Sequence, residues 1–327
     1  MSIDWEKKIQ IDTDWVARQL ICHFNEKQHK ITIRGYTPKA NGTSFSCDSL
    51  IEELGYMIVD YVHSEQAKED VLNTLSLKVG EKQAIKRKDI ALYQEAQAFF
   101  GKKDPSTDGK YGELLLFALC ESVLKCKMVA HKITGLSNGK DQVKGGDGIF
   151  LGNYEVERDN IQPARFIGES KIQQGRSDAF DEAFSSLNRF HAPEVQAVVN
   201  KMEYIVAKNT ISIDNSDTDF DEIYERLTPN TDSFRNQVLV HPILIMYNTA
   251  KIDAIEKKAT TNQKIEELIK YFLEKEKVDL IDLINKKIKF YPSIGKVYVD
   301  FFIFPFNNID LFRNGMYQNI HGVEYSK

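Results

Sequence analysis

The sequence predicts an α/β protein: a mixed sheet flanked by helices, with a mainly helical N-terminal region in front of it. Three observations predict this. Apolar residues recur at helical spacing through much of the first hundred residues. A turn-rich break follows at residues 101–109. Beyond it, short β-rich runs alternate with amphipathic helical stretches.

The elements follow in order. Residues 15–24 read as a short helix. Residues 30–36 alternate, with Ile31 and Ile33 against Thr32 and Arg34, as a strand does. Residues 49–63 carry Leu50, Ile51, Leu54, Met57, Ile58 and Tyr61 on one helical face, with Asp48 or Ser49 as the cap. Residues 67–77 and 88–100 read as two more helices. The break, Gly101-Lys102-Lys103-Asp104-Pro105-Ser106-Thr107-Asp108-Gly109, places a boundary between regions 1–105 and 106–327. Residues 111–125 then form a strongly apolar helix, 128–133 a strand and 135–139 a turn. Two strands are expected at 148–151 and 164–172, joined by a long connection over 153–163. Residues 177–190 and 193–207 read as helices, 214–225 as an acidic loop and 238–247 as a strand. A charged helix over 262–289, broken near Val278, precedes a strand at 297–304 and a closing helix at 309–316.

Composition narrows the function. The chain has 327 residues, enough for two domains or one core with a large appendage. Apolar residues reach 42% and charged residues 28%, which excludes a disordered chain. A net charge of −5 excludes a globally basic coat protein, though not a local basic groove. No apolar run approaches the roughly 20 residues a membrane helix needs, and the polar start lacks a leader's apolar stretch. The four cysteines form no CxxC pair, so a structural zinc site is not expected and a cytoplasmic setting is.

One constellation carries chemistry: Gly145-Gly146-Asp147-Gly148-Ile149-Phe150, then Arg165-Phe166-Ile167-Gly168-Glu169-Ser170-Lys171. Alternation puts Glu169 and Lys171 on one face of a strand. A hairpin pairing would bring Asp147 beside Glu169. Two such carboxylates suit Mg²⁺, with Mn²⁺ as a substitute, and would repel each other without it. A lysine beside them can serve the attacking water and a phosphorane-like transition state. The E-x-K spacing alone says little: Glu6/Lys8 and Glu256/Lys258 share it, the latter in a helical charge run. Only Glu169/Lys171 lies in an apolar strand with a Gly-Asp-Gly-Ile strand ahead and a helix behind.

This ordered set resembles the PD-(D/E)xK nuclease superfamily. The fuller run through Phe180–Leu187 is similar to the nuclease-subunit family of the Hachiman antiphage defence system. The resemblance is carried by about residues 111–190. Gly146 stands where the superfamily often has proline. The resemblance implies a restriction-endonuclease-like core over 106–327 and a Mg²⁺-dependent deoxyribonuclease, a defence effector working on DNA with a helicase-like ATPase subunit. It implies Asp147 and Glu169 as metal ligands, Lys171 as a catalytic group and a first-helix glutamate, Glu113, as a supplement. Glu121, eight residues on, is its rival. Gln173 and Gln174 follow the motif as further polar candidates. The alternative is a catalytically silent DNA- or protein-binding module that keeps the fold for assembly; RNA in place of DNA is a third reading.

Other features weigh less. The acidic run Asp217, Asp219, Asp221 lacks the glycine a calcium loop needs, since Glu222 stands there. The seven histidines show no metal spacing, and no P-loop is present. Lys82–Lys88, Lys102/Lys103/Lys110 and Lys286/Lys287/Lys289 with Phe290 and Tyr291 are candidate phosphate contacts. Phe301, Phe302, Phe304, Phe306 and Phe312 are expected in the core.

Overall fold

The computed structural model describes residues 3–130, 146–192 and 217–326. Its strands are β1 (Leu20–Gln28), β2 (Ile31–Pro38), β3 (Lys127–Ala130), β4 (Gly148–Glu157), β5 (Asn160–Gln173), β6 (Val238–Asn248) and β7 (Tyr298–Phe306). They form a single mixed sheet in the order β1-β2-β7-β6-β5-β4-β3. The middle, β2-β7-β6-β5, is parallel, and an antiparallel hairpin closes each side: β1–β2 on one, β4–β5 with β3 on the other. The central strands β6 and β7 are buried on both faces and read as near-continuous apolar runs, as parallel strands do. All five expected core phenylalanines are buried there or on the closing helix.

The helices before the break are α1 (Trp5–Lys8), α2 (Trp15–Gln19), α3 (Asp48–Tyr56), α4 (Ile58–Val62), α5 (Glu65–Val79) and α6 (Glu81–Phe100). After it come α7 (Lys110–Val123), α8 (Arg176–Phe190), α9 (Asp217–Leu227), α10 (Asp232–Arg235), α11 (Ala250–Glu256), α12 (Asn262–Phe290) and α13 (Ile309–His321). Helix α7 packs on one face of the sheet through Leu116, which lies against Gly168; a Cβ on Gly168 would come within 2.9 Å of Leu116 Cδ2. Helix α8 packs on the other face, with Phe180 and Phe184 against Phe301 at ring separations of 6.1 and 5.8 Å.

The expected α/β class and the helical N-terminal region are present. Strands β1 and β2 arise before residue 105, yet they extend the same sheet, and one apolar cluster joins Trp15, Phe100, Phe117 and Phe302.

Four expectations change. Residues 15–24 are helical only to Gln19; Leu20 begins a strand, and a bulge between Cys22 and Phe24 hides its alternation. Residues 153–163 are no loop but the rest of the hairpin, turning at Asp159 with φ of 61°. From Asp217 the acidic segment is helix α9, because Ile223 and Leu227, four apart, pack with Trp5, Ile149 and Leu151. Helix α12 runs unbroken through Val278, which is on its solvent side. The turn at 135–139 and the helix at 193–207 lie outside the described residues.

Candidate active site

The site is built where β4 and β5 part. Their ladder ends at Gly148↔Gly168, so β5 runs on past the start of β4 from Glu169 to Gln173. Gly146 holds φ of +95°, which glycine adopts without the penalty a side chain would bring. That turn delivers Asp147, whose N–H donates to Gly168 O at 2.6 Å. The Asp147 carboxylate then receives two donors through Oδ2: the Ser170 N–H at 2.7 Å and the Ser170 hydroxyl at 2.8 Å.

Registers across the sheet show which way the β5 side chains point. Glu169 pairs with Ile243, which pairs with Phe301, so Glu169 and Lys171 share the α8 face. Ser170 pairs with Leu244 and, beyond it, Phe302, on the α7 face. A Cβ on Gly112 of α7 would lie 3.2 Å from Ser170 Oγ. The carboxylate of Asp147 therefore meets β5 from the edge and the α7 side. On the other face, Lys171 Nζ is 2.5 Å from Glu169 Oε1. Glu169 is buried and Lys171 half-buried. The repulsion expected between Asp147 and Glu169 is answered by separate partners: hydroxyl and amide for one, ammonium for the other.

Glu113 sits in the first turn of α7, also buried, and accepts a hydrogen bond from the Tyr61 hydroxyl at 3.3 Å. Burial first, then the charges of Glu113 and Asp147, push the Tyr61 phenol well above its ordinary pKa, so it stays protonated and donates. Glu121 is spoken for elsewhere: Lys127 Nζ is 3.0 Å from its Oε1, and the Met128 N–H donates to the same oxygen at 3.1 Å. Burial still raises its pKa above the usual carboxylate range, against the pull of Lys127. Of the two rivals, Glu113 is the one that shares a partner with Asp147's surroundings.

Five of the remaining candidates have partners in the scaffold. Gln173 donates to Glu182 of α8 and Gln174 to Asp310 of α13. Lys287 pairs with Asp181, Lys110 donates to Phe99 O, and Tyr291 stacks on Phe184. Sequence reasoning missed Tyr61 and Ser170 as site residues. It also missed His191 and His241, fifty residues apart, whose Nε2 atoms meet at 3.1 Å. Ser170 could have been suspected from its place between Glu169 and Lys171. Tyr61 and the histidine pair carry no sequence signal, since each depends on a long-range contact.

Among the described residues no three histidine, cysteine or acidic side chains converge as a ready-made cation site. The donor types are those a hard divalent ion takes, although Asp147 and Glu169 meet β5 from opposite faces. Two carboxylates flank the end of one strand, and Mg²⁺ asks for one or two, completing its shell with water and phosphate oxygens.

These features define the class: a mixed α/β fold with a carboxylate–lysine cluster where two antiparallel strands diverge. The HamA family model matches residues 11–320, and the chain belongs to that family, a component of the Hachiman antiphage defence system. Comparison with curated proteins gives no match. Among the described residues no helix is long and apolar enough to cross a membrane.

Proposed function

We propose that the chain is a Mg²⁺-dependent DNA nuclease of the PD-(D/E)xK type, the effector of its defence system, acting with a helicase-like ATPase subunit. The observation that supports this most is the pairing of Glu169 with Lys171 on β5, one residue past the ladder that brings in Asp147. Asp147 and Glu169 would hold the ion, Mg²⁺ or Mn²⁺. Such an ion supplies Lewis acidity to a phosphoryl oxygen and lowers the pKa of a bound water.

The chain's own residues do the rest. Ser170 fixes one oxygen of Asp147, so the carboxylate is already oriented toward the strand end. Glu169 holds the Lys171 ammonium in place through their ion pair. That ammonium orients the attacking water and offsets negative charge as it develops on the phosphate. Glu113, held by Tyr61, adds a further negative group at the N-terminal end of α7. With a net charge of −5 the chain is not a general polyanion binder, so backbone contact with DNA falls to local cations and to the partner.

DNA cleavage by the chain together with its partner, in Mg²⁺ and in excess chelator, tests this. Cleavage that depends on the ion is the expected result. Full activity in chelator would overturn the mechanism, and no cleavage under any condition would favour the silent assembly module.

A further inference from the structure

Tyr61 belongs to α4, on the N-terminal side of the break at residues 101–109, yet its hydroxyl reaches Glu113 of α7, beyond that break. Its ring is buried against Phe99, Phe100 and Phe117, at centroid separations of 6.0, 6.0 and 5.4 Å. From that aromatic cage the hydroxyl donates to Glu113 Oε2 at 3.3 Å, in the neighbourhood of Asp147. Ser170 is the matching support from the sheet. It gives Asp147 Oδ2 two donors from one residue, and Gly112 leaves α7 close enough to shield that hydroxyl.

We infer that Tyr61 and Ser170 are positioning residues: together they orient Glu113 and Asp147, so the N-terminal region completes the active site. The inference rests on the nuclease reading above. Neither residue needs to touch the phosphate. Each holds a carboxylate by hydrogen bonding, buried at 3.3 Å for Tyr61 and part-buried at 2.7 and 2.8 Å for Ser170, and partners of this kind typically govern metal affinity or rate by about 10–100-fold.

The test uses the full chain with its partner and three variants: Tyr61→Phe, Ser170→Ala and Asp147→Asn as reference. Tyr61→Phe keeps the ring and its aromatic neighbours, so the cage survives. Ser170→Ala removes one donor and leaves the backbone N–H. Two readouts are taken: the kcat and KM for DNA, and the Mg²⁺ concentration that half-raises the melting temperature of the chain without DNA. The expected result is a 10–100-fold fall in kcat or a comparable rise in the Mg²⁺ midpoint, with KM for DNA unchanged. Wild-type kcat and Mg²⁺ midpoint in both Tyr61→Phe and Ser170→Ala, with Asp147→Asn inactive, would overturn this inference and leave the nuclease reading standing. Wild-type cleavage by Asp147→Asn would overturn both.

Discussion

The two ends of helix α7 carry the same kind of residue to different effect. Glu121, near the C-terminal end, is fully buried and its Oε1 is held by its own neighbourhood, with Lys127 and the Met128 N–H only six and seven residues along the chain. It fastens α7 to β3. Glu113, near the N-terminal end, is also buried, but its partner Tyr61 is 52 residues away, and Asp147 comes from a third element. A buried acid with a local cation is a clamp. A buried acid among long-range polar groups beside other acids is a candidate site.

The largest expected effects fall on the site end. Asp147→Asn and Lys171→Ala should each lower the cleavage rate by on the order of 10²–10³, the loss seen for one well-placed stabilising group. Glu121→Gln should leave the rate per folded molecule unchanged. A comparable rate loss in Glu121→Gln, measured beside Lys171→Ala, would erase the distinction between the two ends.

Stability should respond in the opposite sense. Glu121→Ala strands Lys127, which is also buried, and removal of one partner from a buried pair costs about 3–5 kcal/mol. Glu113→Gln keeps an acceptor for Tyr61 and should cost far less. Urea unfolding of the two variants tests this; equal losses would show that both acids are clamps.

A smaller effect is a pH dependence on the α8 face. Burial, with His191 next in effect, depresses the pKa of His241 to about 3, and burial depresses that of His191 too. The His241 Nδ1–H donates to Ile167 O, so its Nε2 accepts from His191. A depressed histidine contributes stability that is present above its unfolded pKa, about 6.5, and is lost as pH falls toward 3. The slope for such a group is at most about 1.4 kcal/mol per pH unit. Melting temperatures from pH 7 downward should fall more steeply for wild type than for His241→Phe. Parallel curves would remove this pair from the account.

The smallest effect belongs to the E-x-K pair Glu256/Lys258. Glu256 accepts from the Phe45 N–H at 2.6 Å and from Asn307 at 3.3 Å, so Glu256→Ala should cost about 1 kcal/mol of stability and no activity. Lys258→Ala should change neither. Loss of cleavage in either variant, once folded, would break the claim that strand context separates the motifs.

The parts legible in the sequence are those set by local periodicity. The hairpin around Asp147 and Glu169 was readable because Gly148–Leu151 and Ala164–Ile172 are apolar β-rich runs, and α7 and α8 because their apolar faces recur every three to four residues. Strand β1 was not. Leu20 and Phe24 lie four apart, as on a helix, and the bulge at His23 breaks the period of two. Helix α9 was hidden by its carboxylates, since only Ile223 and Leu227 mark its buried side. At the site, the residue types and spacing of Asp147, Glu169 and Lys171 could be read. That Asp147 meets β5 from the α7 side while Glu169 and Lys171 face α8 could not, because it depends on where one ladder ends. The different settings of Glu113 and Glu121 could not be read, because that of Glu113 depends on Tyr61, which no spacing rule links to α7.

The central claim is that the Glu169–Lys171 pair is catalytic rather than a structural ion pair. Cleavage of DNA by Glu169→Ala, with its partner and Mg²⁺ present and its fold checked by melting temperature, tests it most directly. The account predicts a loss of at least about 10²-fold in rate with the protein still folded. Cleavage at the wild-type rate by folded Glu169→Ala would contradict it and reduce the motif to a salt bridge at the end of a strand.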